Sequence, residues 1–180
     1  MKLASLLLSA MIGAASTAEA AEFLKAQLTE GGTKLTIAQS DGASFDAPRD
    51  EDQDRFAAPG VSRNHRYAGW LALYPNQGAS YSQPLDLAVV DASMRIHLFS
   101  GSFGMVFGWC FAEQNDAVVY SFSFPHGRTP VGFEMRRIND GKLLRKFRLE
   151  PVGPDEDEYQ VLRAKAPVWT RCAQESAVAE

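Results

Sequence analysis

Two stretches of this 180-residue chain repeat one plan at a spacing of about 50 residues, and that repeat constrains the fold more than any other feature. Trp70-Leu71-Ala72-Leu73-Tyr74-Pro75 is echoed by Val119-Tyr120-Ser121-Phe122-Ser123-Phe124-Pro125. After each proline comes a polar loop, then an apolar run (85–91, then 131–138). A tight turn follows (Asp91-Ala92-Ser93, then Asn139-Asp140-Gly141), and a closing run (94–99, then 142–147) ends the unit. Four short strands per unit is the plan of a propeller blade, but a closed ring needs at least about four blades and the chain has room for about three. The repeat therefore predicts an all-β fold, an antiparallel meander of two blade-like four-stranded units at about 61–103 and 104–150. These are expected to form either a β-sandwich of packed sheets, the preferred reading, or an open, propeller-like stack; both must cover their edges.

Period-2 and short apolar runs place strands at 23–28, 33–39, 43–47, 67–74, 85–91, 94–99, 106–112, 117–124, 130–138 and 142–149. In 67–74, Ala68, Trp70, Ala72 and Tyr74 share one face while Tyr67, Gly69, Leu71 and Leu73 share the other. Both faces can be buried, so this is expected to be a central strand. Charge replaces apolar residues at 48–54 and 151–158, which predicts irregular linkers. A short C-terminal helical tail is expected within 159–177, split at Pro167, with Val161, Leu162, Val168 and Trp169 docking on the sheet.

The first 20 residues have the three parts of a secretory signal: Lys2, an apolar run from Leu3 to about Ala15, and small residues at Ala18 and Ala20. Ser5, Ser9, Ser16, Thr17 and Glu19 interrupt or end the run before the roughly 20 apolar residues that a spanning helix needs. The expected location is periplasmic or secreted, with residues 21–150 as the β domain and 151–180 as linker and tail. In an oxidising compartment an even cysteine count can pair, so Cys110 and Cys172 are the candidate disulfide. A net charge of −4 argues against a nucleic-acid partner, and Arg136, Arg137, Lys142, Arg145, Lys146 and Arg148 read as solvated positions on two neighbouring strands. The acidic runs 50–54 and 155–158 are expected to balance them.

The blocks Gly69-Trp70-Leu71-Ala72-Leu73-Tyr74-Pro75-Asn76, Ser80-Tyr81, Pro84-Leu85, Trp109-Cys110-Phe111 and His126-Gly127 resemble an uncharacterised family of bacterial exported β-rich proteins with a GWLxLYPN...SYxxPL...WxF...HG pattern. The resemblance covers about 35–150 and implies a secreted β-rich module, with no catalytic residues to carry over. Members often place an Asp-Gly turn before the GWL strand, where this chain has Arg63-Asn64-His65-Arg66.

If the units stack in register, their second-to-third strand loops share a rim, and Asn76, Ser80, Tyr81, His126 and Arg128 on those loops are the candidate ligand-binding residues. The same residues are ordinary turn chemistry, with Gly78 and Gly127 supplying positive φ. No catalytic residue, metal ligand set or cofactor is expected, because His65, His97 and His126 lack the short spacing of a zinc motif and 50–54 lacks an EF-hand glycine. The leading expectation is an exported binding or accessory module for an unknown protein or small-molecule partner, without a membrane span in the mature chain. The alternatives are a small secreted hydrolase using His126 with Ser80 or Tyr81, and a structural component of a β-assembly that oligomerises through unpaired edges.

Overall fold

The computed structural model describes residues 21–76, 78, 81–112, 116–124 and 130–176, so the signal-peptide stretch lies outside the described residues. Among the described residues eleven strands form three antiparallel sheets. The first holds β1 (Phe23–Thr29), β2 (Lys34–Gln39) and β3 (Ser44–Asp46) in that order. The second is the meander β4 (Arg55–Val61), β5 (Tyr67–Tyr74), β6 (Gln83–Asp91) and β7 (Ile96–Ser100). The third is the equivalent meander β8 (Met105–Ala112), β9 (Ala117–Ser123), β10 (Val131–Arg137) and β11 (Leu143–Leu149). Helices α1 (Glu158–Lys165) and α2 (Arg171–Ser176) follow, with a 3-10 turn at Val168–Thr170 between them.

The all-β fold with a short helical tail is thus observed; the second and third sheets are both four-stranded meanders in chain order, with β5, β6 and β7 second to fourth in one and β9, β10 and β11 in the other. The unit boundaries differ. The first sheet of the repeat begins at Arg55, not near 61, because β4 is a strand that periodicity misses. Pro59 and Gly60 disguise it, and a bulge between Ala57 and Gly60, with Ala58 at φ 45°, breaks its alternation. β7 begins at Ile96 because Met94 takes φ 63° in the turn.

The layers are set by which faces are apolar. Tyr67, Leu71, Leu87, Val89 and Phe99 of the second sheet meet Val106, Trp109, Val118, Tyr120, Phe122 and Ile138 from the third-sheet side of the interface. The opposite face of the second sheet, Phe56, Ala68, Trp70, Ala88 and Val90, packs on Phe23, Leu35 and Ile37 of the first. β5 is therefore buried on both faces, as its composition predicts. The far face of the third sheet, with Val119, Phe133 and Met135, is covered by Ala173, Leu162 and Trp169 of the tail. Val168 is not part of that docking face; it is 70% exposed, and Ala173 takes the buried place.

Trp109 fastens the two repeated sheets. Its indole lies over the paired glycines Gly60 and Gly69, where an added Cβ would come within 3.3 Å and 2.7 Å of the ring. Its Nε1–H donates to the Ala58 carbonyl exposed by the bulge, at 2.9 Å. Its main-chain N–H donates to Ser176 Oγ at 2.8 Å, which brings α2 against β8. Next to it Cys110 and Cys172 stand bridged, with Cα atoms 5.8 Å apart.

The bridge closes 62 residues between β8 and α2. Chain-entropy arguments give such a loop about 4 kcal/mol, with measured values commonly about 2–4 kcal/mol. Reduction, or Cys110→Ala with Cys172→Ala, should lower unfolding free energy by that amount in denaturant titrations, and non-reducing mass analysis should find no free thiol.

Candidate functional site

Of the five loop residues expected to form a site, Asn76 is half-buried and Tyr81 is 45% exposed at the β5–β6 connection. Ser80, His126 and Arg128 lie outside the described residues. Gly78 takes φ 115°, as its turn role requires.

At the other end of the stacked sheets is a cleft of about 550 Å³. Its walls come from the β4–β5 and β8–β9 turns, with Ser62, Asn64 and Asp116 as the polar part and Tyr67, Phe111 and Ile138 as the apolar part. The β4–β5 turn is closed without a glycine. His65 occupies the left-handed region at φ 57°, and its N–H donates to the Ser62 carbonyl at 2.9 Å. The strain is held by β1: Phe23 N–H donates to the His65 carbonyl, and His65 Nδ1 meets the Phe23 carbonyl, both at 2.8 Å. The turn thus anchors the first strand of the described fold.

The two turns are joined across the cleft. Asn64 Nδ2 donates to Asp116 Oδ1 at 3.0 Å and Arg66 donates to Asp116 Oδ2 at 3.2 Å. Asp116 itself has φ 32°, and its carbonyl accepts from Ile138 N–H at 2.9 Å. On the apolar wall the Tyr67 and Phe111 rings stack with centroids 6.4 Å apart, and the Arg66 guanidinium lies 5.6 Å over Tyr67. Tyr67 Oη donates to Asn139 Oδ1 at 3.3 Å, adding the β10–β11 turn to the assembly. Burial, then the charge of Asp116, pushes the Tyr67 phenol above its ordinary range. The cleft offers an aromatic wall beside oriented amide and carboxylate groups, which is the make-up of a binding site.

A second polar cluster sits buried between the repeated sheets. Glu134 is fully buried on β10 and accepts from Ser102 Oγ at 2.5 Å, Tyr120 Oη at 2.9 Å and Arg136 Nε at 2.7 Å, with Lys146 Nζ at 3.4 Å. Arg136 also donates to Tyr120 Oη and to the Gly141 carbonyl. The sequence places Arg136 and Lys146 on solvated faces balanced by distant acidic runs; Lys146 is exposed and Arg136 partly so, but both direct their charge at this one carboxylate. Burial alone would raise the Glu134 carboxyl, but the hydrogen bonds from Ser102, Arg136 and Tyr120 outweigh it and hold it below the ordinary range. Burial and the adjacent Glu134 raise the Tyr120 phenol. With Glu134 and Tyr120 buried and Ser102 and Lys146 at the solvent edge, the cluster works as a polar rivet in the interface.

The hairpin turn after β6 has an aspartate, a histidine and a serine together, but in the wrong order for a nucleophile. His97 Nε2 lies 3.0 Å from Asp91 Oδ2, while Ser93 Oγ donates to Asp91 Oδ1 at 2.6 Å rather than to the imidazole. Ser93, His97 and Arg95 together overcome burial and hold Asp91 well below the usual carboxylate range. Among the described residues no three His, Cys, Asp or Glu side chains gather as a metal would need. Nor is any helix among the described residues long and apolar enough to cross a membrane.

Compared with known families the chain matches no family model, and a search of curated proteins gives no match.

Sequence reading missed the cleft because it pairs residues about 50 positions apart that look like unrelated turns. The signal was present in part: Asn64-His65 lies in a turn with no glycine to take a positive φ, which marks a turn held by tertiary contacts.

Glu134 gives a testable pH dependence. Its folded pKa is depressed, so its contribution is complete above the unfolded value near 4.3 and is lost as pH falls through the folded value. Glu134→Gln should cost about 2–3 kcal/mol at pH 7. Unfolding titrations between neutral pH and pH 3 should show the gap between wild type and variant narrowing below about pH 4; a constant gap would refute the assignment.

Proposed function

We propose that this chain is an exported binding module, and that its ligand, a small molecule or the end of a peptide with an aromatic or apolar part, seats in the cleft between the β4–β5 and β8–β9 turns. The observation that carries the reading is the cleft itself, where Asn64 and Asp116 are fixed across two turns beside the Tyr67–Phe111 wall, with Arg66 bracing Asp116 from outside the lining. Both turns hold non-glycine residues at positive φ, His65 and Asp116, and such strain concentrates where function fixes the backbone. Export is supported by the signal-like first 20 residues and by the Cys110–Cys172 bridge. The GWLALYPN block, in its resemblance to exported β-rich proteins, supports the same reading.

The expected result of a ligand-observed NMR screen with aromatic fragments is a set of weak binders whose shifts map to Tyr67, Asn64 and Phe111. Phe111→Leu, which keeps an apolar side chain but removes the stacked ring, should weaken them about three- to tenfold. Fragments that bind only elsewhere, or with equal affinity to the variant, would overturn the assignment of the cleft.

A further inference from the structure

The four outer strands of the two repeated sheets are treated very differently. β11 carries Arg145, Lys146 and Arg148, charges that deter another strand. β8 is covered by α2 through the Trp109 to Ser176 hydrogen bond. β4 is interrupted by its bulge and by Pro59. β7, with sequence Ile96-His97-Leu98-Phe99-Ser100, has none of these protections, and among the described elements only β6 packs extensively on it.

The main-chain direction of β7 can be worked out. The Arg95 carbonyl accepts from Asp91 N–H at 3.0 Å, so the polar groups of Arg95 face β6. In an antiparallel ladder these groups alternate, so His97 and Phe99 also face β6 while Ile96, Leu98 and Ser100 point outward. The Ser100 carbonyl fits this, since it accepts from Tyr120 Oη and not from β6. The outward residues are the ones whose side chains are also bare: Leu98 is 62% exposed, Ile96 39%, and Met94 in the adjoining turn 48%.

We propose that β7 pairs antiparallel with β7 of a second copy of this chain, joining two four-stranded sheets into one continuous sheet. The strand complements itself. Residues 96–100 carry no formal charge, so an antiparallel copy opposes no like charges. The flanking charges are already engaged: Arg95 by Asp91, and Asp86 by the Ser100 hydroxyl. Ile96 and Leu98 share one face, so a two-fold axis through the strand brings each copy's apolar pair against the other's. A single strand pair is smaller than a standard interface, so the dimer should be weak, with a dissociation constant on the order of micromolar to tens of micromolar.

Sedimentation of the intact, oxidised protein from about 1 µM to about 1 mM should show a monomer–dimer equilibrium. Hydrogen exchange should show the Ile96 and Leu98 amides gaining protection with concentration, whereas those of His97 and Phe99 are protected throughout. Leu98→Lys, on an exposed side chain, should leave thermal unfolding of the monomer unchanged and raise the dissociation constant at least about tenfold. Leu143→Lys on the already charged β11 edge should change neither. A chain that stays monomeric across this range leaves β7 to a foreign strand and overturns the proposal. So does a dimer whose Ile96 and Leu98 amides stay unprotected, or one that survives Leu98→Lys.

Discussion

The indole of Trp109 holds together three parts of the molecule that the chain visits far apart. Its ring fills a trough made by Gly60 and Gly69, its side-chain N–H takes up the carbonyl freed by the β4 bulge, and its main chain binds α2. No larger residue fits at Gly69 while the ring is present, because close-packed interiors answer a single added methyl group with displacement or strain. The trough fixes how closely the two repeated sheets approach, and that approach determines the cleft at one end of their interface. The Cys110–Cys172 bridge, one residue along β8, ties the tail to the same point.

The rest of the interface follows the same logic of a large aromatic over a glycine. Phe122 lies over its cross-strand neighbour Gly132, and Phe103 meets Phe122 edge-on with centroids 4.8 Å apart. Glu134 sits among these rings as an ion that a bare apolar interface would exclude. It is tolerated because Ser102, Tyr120, Arg136 and Lys146 all point at it, satisfying in the interior what water would satisfy outside. Such a buried network stabilises less than apolar packing would, and its effect here is to set register between the β7–β8 connection and β10.

Much of the architecture was legible in local pattern. Strand periodicity and the echo of Trp70–Pro75 in Val119–Pro125 placed the strands of both meanders, and the two-sided composition of β5 placed it in the middle. β4 was hidden because a bulge and a proline erase alternation, and only pairing with β5 makes a strand of it. The partner of Arg136 and Lys146 was hidden for a related reason, since sequence shows charges but not the strand register that sets both beside Glu134. The cleft depends on contacts between turns about 50 residues apart, which no local pattern encodes. Of the expected loop site, Asn76 and Tyr81 fall within the described residues, and Ser80, His126 and Arg128 fall outside them.

The central claim, that the Trp109 ring in its glycine trough sets the sheet-to-sheet contact, is tested most directly by a double-mutant cycle of Gly69→Ala and Trp109→Leu in equilibrium unfolding. Gly69→Ala should cost about 2 kcal/mol or more with Trp109 in place and at least about 1 kcal/mol less once leucine has vacated the trough, where only the Ala88 carbonyl, 3.2 Å from the added Cβ, still crowds it. Additive effects of the two substitutions would contradict it.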